Sequence, residues 1–336
     1  MADYYYRFPR LTDMTVAQQA ALDDTGEIAL SGGPGTGKSV VSAWRHINNY
    51  ARGRRSLLLT YTHSLMRYLT SCCAGQGSTR AAENVATSYL GKPTGGVYDE
   101  VIVDEAQDLE PDYFKSLIDM GYKVSYGADD SQILYKNHCS TTKELKTLFP
   151  GNKQHELDRN FRCTQNIMLF AQTAFPNMFI PKKMIDGLKN NPGPKPVMRG
   201  GYIYGDMLSI IKQFAGESHN IGILVGWKCH VVSIHDYISR NGIDCSCYVN
   251  QQSGDTCPPL KNVHVTTYRS AKGLEFDTVI LADFSYYYGC QAKPQYKEVL
   301  TEEDLYVAVT RARSNLYLLN DGEIADFRNR FANFIE

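Results

Sequence analysis

The chain has 336 residues, 43% of them hydrophobic, and 35 basic side chains stand against 36 acidic ones. That length allows two ordinary domains, each with a sizeable core. A net charge of −1 excludes duplex binding driven by bulk positive charge, and leaves open single-strand binding through local grooves and stacking aromatics. No window of about 18 apolar residues is present, which excludes a transmembrane helix. Met1 to Arg7 lacks the apolar region of a secretory signal. Nine cysteines at irregular spacing predict free thiols in a reducing, cytoplasmic compartment. Cys245, Cys247 and Cys257 fit no standard zinc spacing.

An aromatic lead-in, Tyr4, Tyr5, Tyr6 and Phe8, is expected to pack on the first domain. Thr12 or Thr15 caps a predicted helix through Gln18 and Leu22. Ile28-Ala29-Leu30 reads as a buried strand, followed by Ser31-Gly32-Gly33-Pro34-Gly35-Thr36-Gly37-Lys38-Ser39 and a helix over Val40 to Tyr50. Arg55 to Tyr61 predicts a second strand and His63 to Ser71 a helix. Gly75 to Arg80 reads as a polar turn, and Asn84 to Tyr89 as a short strand. Glu100-Val101-Ile102-Val103 predicts a strand ending in Asp104-Glu105. Pro111 marks a helix start, and Lys123 to Gly127 a further strand. Phe149-Pro150-Gly151-Asn152 is the expected boundary between domains 1–150 and 151–336. Beyond it come helices over Thr164 to Ala174, His230 to Arg240 and Glu302 to Arg311. Strands are predicted over Ile221 to Val225, Val263 to Thr267, Thr278 to Ala282 and Asn315 to Leu319. Strands alternating with helices predict parallel sheets, with polar residues gathered at the carboxyl edge where such sheets bind ligands.

The glycine-rich stretch matches G-x-x-x-x-G-K-[ST], the P-loop, in the strand–turn–helix context that motif requires. Gly33, Gly35, Thr36 and Gly37 let successive backbone N–H groups face phosphate oxygens, and the helix N-terminus adds partial positive charge. Lys38 is expected to reach the β- and γ-phosphates and Ser39 to hold Mg²⁺. Asp104 at the end of a buried strand is a second Mg²⁺ ligand. Glu105 beside it is placed to orient or deprotonate the attacking water.

Asp104-Glu105-Ala106-Gln107-Asp108 resembles motif II of superfamily 1 helicases of the UvrD/Rep class, and further matches follow in order. Gln18 resembles the Q motif. Leu59-Thr60-Tyr61-Thr62-His63 resembles motif Ia, Asp129-Asp130-Ser131-Gln132-Ile133-Leu134-Tyr135 motif III, and Arg159-Asn160-Phe161-Arg162 motif IV. Thr266 to Phe276 is similar to motif V and Tyr306 to Arg313 to motif VI. The resemblance implies two RecA-like P-loop NTPase domains with parallel sheets and ATP in the cleft between them. It makes Arg162 and Arg311 arginine fingers on the γ-phosphate and Gln132 a γ-phosphate sensor. It gives Gln18 and Phe161 to the adenine, Glu275 to the ribose and Gly273 to the nucleotide pocket. Single-stranded nucleic acid is implied across both domains, with Tyr61 stacking on a base and Thr62, Thr87, Thr267 and Arg269 contacting phosphates.

The sequence departs from that family in four places. Val40 stands where relatives carry a basic residue, motif III has no Trp, and Tyr268 and Arg269 replace the usual middle pair of motif V. The stretches from His63 to Val101 and from Arg162 to Thr266 leave little room for accessory domains. The expected function is an ATP-dependent DNA helicase or translocase motor core on single-stranded DNA, 3′→5′ by resemblance, with RNA as a second candidate strand. A protein partner is expected to supply strand separation or nuclease activity. The alternative is an NTP-driven regulatory subunit that switches a partner and does not walk. A P-loop kinase would leave motifs V and VI without purpose.

Overall fold

The computed structural model describes residues 2–88, 98–134, 138–249, 257–290, 293–296, 300–322 and 324–336. Tyr89 and Tyr135, the ends of a predicted strand and of the motif III match, lie outside the described residues. The chain divides into two compact units, Tyr6–Phe161 and Arg162–Gln251 with Cys257–Glu336, and Met1–Tyr5 belongs with the second. No helix of the described residues is long and apolar enough to cross a membrane.

In the first unit the elements are α1 (Val16–Asp23), β1 (Ile28–Ser31), α2 (Lys38–Ala51), β2 (Ser56–Thr60), α3 (His63–Gly75), α4 (Thr79–Glu83), β3 (Val85–Thr87), β4 (Glu100–Val103), α5 (Pro111–Asp119), β5 (Val124–Ala128), α6 (Thr142–Leu148) and β6 (Lys153–Glu156). Local chemistry starts the helices. Thr15 accepts the Gln18 N–H while the Gln18 side chain accepts the Thr15 N–H, a capping box that opens α1. Pro111 opens α5, where its missing N–H costs nothing. The strands form one all-parallel sheet in the order β3-β2-β4-β5-β1-β6. Leu57, Leu59, Val101, Val103, Phe114, Leu117, Tyr126 and Phe149 share one core on this unit. Because β4, β5 and β1 are neighbours, the loops that follow them meet at one carboxyl edge.

Two differences from the sequence reading concern this unit. It extends to Phe161, past the expected boundary at 150, because β6 pairs along β1. The stretch read as a polar turn contains the start of α4.

At the amino edge, Glu100 is 1% exposed yet fully partnered. Arg45 Nε donates to its Oε1 at 2.7 Å, Asn49 Nδ2 to its Oε2 at 2.7 Å, and the Ser125 hydroxyl to Oε1 as well. Arg45 Nη1 also donates to the Asp24 carbonyl at 2.9 Å.

The second unit contains α7 (Gln165–Ala174), α8 (Lys182–Asp186), β7 (Val197–Gly201), α9 (Ile203–Phe214), β8 (Ile221–Val225), α10 (Lys228–Arg240), β9 (Ser246–Tyr248), β10 (Val263–Thr267), β11 (Phe276–Ala282), α11 (Phe284–Cys290), α12 (Glu302–Val309), β12 (Ala312–Asp321) and α13 (Ala325–Arg330). Its sheet is also all parallel, in the order β7-β12-β11-β8-β10-β9. The predicted last helix ends at Val309, so Arg311 lies in the turn before β12.

The aromatic lead-in does not pack as one piece on the first unit. Tyr6 meets Tyr68 and Phe8 stacks on Trp44 there. Tyr4 and Tyr5 belong to the second unit: the Tyr4 N–H donates to the Leu260 carbonyl at 3.0 Å, and Tyr5 exchanges two hydrogen bonds with the Asn220 side chain. Burial decides the split, since Tyr4 is 3% exposed in its slot.

His46 and His264 are buried and hydrogen-bonded to the neutral hydroxyls of Ser56 and Ser246. His46 Nε2 donates to the Ala81 carbonyl at 2.9 Å, so the neutral ring accepts from the Ser56 hydroxyl at Nδ1. Burial pushes His46 down to about 4 and His264 down to about 3, from a usual 6.5. The unfolded chain therefore binds protons that the folded chain refuses. This stability is complete above about pH 6.5 and is lost as pH falls toward the folded values, on the order of 3 kcal/mol for His46. The melting temperature is expected to drop steadily between about pH 6.5 and 4.5. A flat profile over that window would contradict neutral burial of both rings.

Candidate active site

The P-loop joins β1 to α2, and Gly32, Gly35 and Gly37 all have positive φ. Gly37 occupies the N-cap of α2 at φ 90° with no side chain capping the helix. The first N–H groups of a 14-residue helix therefore remain for a ligand. A Cβ at Gly37 would lie 2.4 Å from Gln18 Nε2, so only glycine fits there. Thr36 Oγ1 tightens the loop by donating to the Gly33 carbonyl at 2.9 Å. Lys38, 7% exposed, folds its ammonium onto the Gly32 and Gly33 carbonyls at 2.6 and 3.0 Å. Ser39 follows at the second position of α2, half-buried.

The carboxylates come from the neighbouring strand ends. Asp104 follows β4 and is 1% exposed, with the Ser42 hydroxyl 3.5 Å from its Oδ1. Gly127 of β5 lies between the two motifs, its Cβ position 3.4 Å from Asp104 Oδ1 and 3.6 Å from Lys38 Cβ. Glu105 is held at φ 57° and ψ 43°, a left-handed conformation that disfavours a non-glycine residue. Such strain costs on the order of 1–3 kcal/mol and is stored at functional positions. Gln107 Nε2 donates to Glu105 Oε2 at 2.6 Å, while Gln107 Oε1 accepts the Asp129 N–H at 3.2 Å. Asp129 Oδ2 in turn accepts from Gln132 Nε2 at 2.5 Å and lies 3.6 Å from Lys38 Nζ. Lys38, Asp129, Gln132, Gln107 and Glu105 thus form one connected polar string along the carboxyl edge.

These residues fit a nucleoside triphosphate with Mg²⁺. The uncapped helix and glycine cradle suit phosphate oxygens, Lys38 holds its ammonium over the loop, and Ser39 with Asp104 offers the hard oxygen ligands that Mg²⁺ prefers. Gln107 and Asp129 were not among the predicted site residues. Both stand inside the matched motifs, and only the fold shows that their side chain and N–H join.

Two predicted nucleotide contacts fall beside the P-loop. The Phe161 N–H donates to the Gly35 carbonyl at 2.9 Å, and its ring is 43% exposed under the Arg159 guanidinium at 5.1 Å. Asn160 Nδ2 anchors the same segment to the Pro34 carbonyl at 2.9 Å. Gln18 is close too, but both ends of its amide serve the protein: Oε1 accepts from the Thr15 N–H at 2.9 Å and Nε2 donates to the Thr36 carbonyl at 3.1 Å.

In the second unit Glu275, expected at a ribose, is the hub of an arginine pair. Arg162 Nε donates to its Oε2 at 3.2 Å and Arg313 Nη1 to its Oε1 at 2.8 Å. Arg162 Nη1 also reaches the Thr310 carbonyl at 3.4 Å. Arg311 is 1% exposed, with Nε donating to the Val307 carbonyl at 3.0 Å. Gly273 turns the chain at φ 85° just before Glu275. Arg313 lay in the motif VI match without a role, and its ion pair was the signal that only structure supplies.

The five residues expected on nucleic acid are buried or hydrogen-bonded within the fold. Tyr61 is 7% exposed and belongs to the core of the first unit. Thr62 caps α3 by accepting the Leu65 N–H at 3.1 Å. Thr87 is fully buried at the end of β3. Thr267 Oγ1 donates to Ser270 Oγ at 3.0 Å. Arg269 grips Asp304 through Nε at 2.7 Å and Nη2 at 2.9 Å, the fork geometry a buried carboxylate favours.

A P-loop beside Asp104-Glu105 on one parallel sheet, followed by a second parallel sheet with its arginine pair, defines a two-unit α/β P-loop fold. Residues 28–176 match the Schlafen group 3 DNA/RNA helicase domain, and residues 249–321 match the UvrD-like helicase C-terminal domain. Each half of the chain thus matches a helicase domain, the second of them UvrD-like. It is 29% identical over 242 residues to the "Putative ATP-dependent DNA helicase" of Acanthamoeba polyphaga mimivirus, a match covering 65% of this chain. The chain spans about a third of the length of that curated relative, 34%. Among solved structures it is similar to the PRRSV helicase, with TM-score 0.48, 16% identity and coverage of 91% of this chain and 54% of that one. It is also similar to Bacteroides Pif1 bound to single-stranded DNA, with TM-score 0.48, 13% identity and coverage of 96% and 98%. Both scores lie below 0.5.

Proposed function

We propose that this chain is an Mg²⁺-ATP-hydrolysing motor core that translocates on single-stranded DNA in the 3′→5′ direction. The observation that carries this reading is the polar string from Lys38 through Asp129 and Gln107 to Glu105, which joins the phosphate cradle to the base. In this reading the P-loop N–H groups and Lys38 bind the phosphates, and Phe161 covers the adenine. Ser39 and Asp104 hold Mg²⁺, which when bound neutralises phosphate charge. Glu105 takes the proton of the attacking water. Arg162 and Arg311 are proposed to stabilise charge on the γ-phosphate, a role worth on the order of 10³-fold or more elsewhere.

One observation favours a second reading, a regulatory ATPase that switches a protein partner. The five expected nucleic-acid residues are buried or hydrogen-bonded within the fold, as Tyr61 and Arg269 illustrate. The deciding experiment measures ATP turnover alone, with single-stranded DNA and with single-stranded RNA, using Glu105→Gln as control. Strong DNA stimulation that the control abolishes is expected. Turnover that ignores both nucleic acids would sink the motor and favour the switch.

A further inference from the structure

We infer that Tyr4 is a positioning residue for the Arg162–Glu275–Arg313 cluster. The inference rests on the proposed role of Arg162 in hydrolysis.

Glu275 lies between the Gly273 turn and β11, outside the strand ladder, so its backbone groups need other partners. One hydroxyl supplies both. The Glu275 N–H donates to Tyr4 Oη at 3.2 Å, and Tyr4 Oη donates to the Glu275 carbonyl in a short hydrogen bond. Tyr4 is itself fixed. Its ring is 3% exposed and meets the edge of Phe276 at 6.0 Å. Its N–H is held by the Leu260 carbonyl, the Asn262 N–H donates to the Ala2 carbonyl at 3.1 Å, and Tyr5 is clamped by Asn220. This extended segment thereby sets the Cα position and direction of Glu275. The direction of Glu275 decides where its two carboxylate oxygens stand. Those oxygens orient Arg162 at 3.2 Å and Arg313 at 2.8 Å. A guanidinium that acts on developing charge must be held to a fraction of an ångström, so a loosened Glu275 reaches the chemistry through Arg162. The plain alternative is that Tyr4 only fastens its own segment.

Tyr4→Phe separates the two, because it keeps the buried ring and removes only the hydroxyl. Steady-state ATP hydrolysis and melting temperature are measured for wild type, Tyr4→Phe, Arg162→Ala and the double variant. The expected result is a fall in kcat of about fivefold in Tyr4→Phe, the kinetic equivalent of one hydrogen bond, with KM changed less than about twofold. In the Arg162→Ala background Tyr4→Phe is expected to have no further effect, since both act through one guanidinium. An unchanged kcat in Tyr4→Phe, while Arg162→Ala is strongly impaired, would overturn the positioning role and leave the reading of Arg162 intact. Independent, multiplying losses in the double variant would overturn it as well, marking a structural effect. If Arg162→Ala hydrolyses ATP normally, the role of Arg162 itself fails and Tyr4 has nothing to position.

Discussion

Glu105→Gln is expected to lower ATP turnover by about a thousandfold while leaving Mg²⁺-ATP binding nearly unchanged, in line with the 10²–10⁴-fold typical of a positioned general base. The geometry explains why the loss should be confined to the chemical step. Glu105 is buried and held at φ 57° with its Oε2 bonded to Gln107. An amide in its place keeps size and hydrogen bonding but takes no proton. The proposed phosphate contacts fall to other residues, Lys38 and the uncapped start of α2. The backbone conformation allows a second readout. Asn tolerates the left-handed region better than Glu, so Glu105→Asn should be as inactive as Glu105→Gln yet melt no lower than wild type. Turnover measured with nucleotide titration checks the first claim and calorimetry the second. Wild-type-like turnover in Glu105→Gln would remove Glu105 from the chemistry.

The largest effect on stability is expected at the opposite edge of the same sheet. Glu100→Leu should cost about 3–5 kcal/mol, because it strands the Arg45 guanidinium in a place closed to water. Glu100 is 1% exposed and Arg45 is 5% exposed, so solvent replaces neither partner. Arg45→Met should cost less, since Asn49 and Ser125 still donate to the carboxylate. The double variant should recover part of the loss, as an apolar pair of similar volume often matches a buried ion pair. Denaturant titration of all four proteins measures the coupling. A single-variant cost under about 1 kcal/mol would mean that water reaches the pair.

Much of this architecture was legible where burial and chemistry coincide. The apolar runs that became β1, β2, β4 and β5 predicted a parallel sheet, and the P-loop and Asp104-Glu105 fell at its carboxyl edge. Strands with no apolar run escaped. β6 is Lys-Gln-His-Glu, mostly exposed, and exists because β1 offers it a partner. Ile203–Phe214 carries buried Met207, Ile210 and Ile211 at helical spacing, a signal present in the sequence and absent from the reading. The nucleic-acid candidates sit deeper than their strand-end positions suggest. Strand-end positions predict exposure to a ligand, but Tyr61, Thr87 and Thr267 end their strands inside side-chain packing. Pairing identity was beyond any one-dimensional pattern: nothing in Arg162, Glu275 and Arg313 announces that one carboxylate serves two guanidiniums.

The placement of β1 has a consequence for how the polypeptide acquires its shape. Its strand neighbours are β5 and β6, and the bonds that hold Ile28 reach Ser125, 97 residues away, and Asn152, 124 residues away. During synthesis the phosphate cradle therefore stays unformed until nearly the whole first unit has emerged. Long-range closure of this kind is slow, and it leaves an apolar strand waiting with unpaired edges. A polypeptide cut at residue 150 would retain every matched motif of the first unit through motif III and still lack the strand that closes β1. Such a fragment is expected to aggregate where one ending after Phe161 folds, because an unpaired, buried-type strand is a template for association.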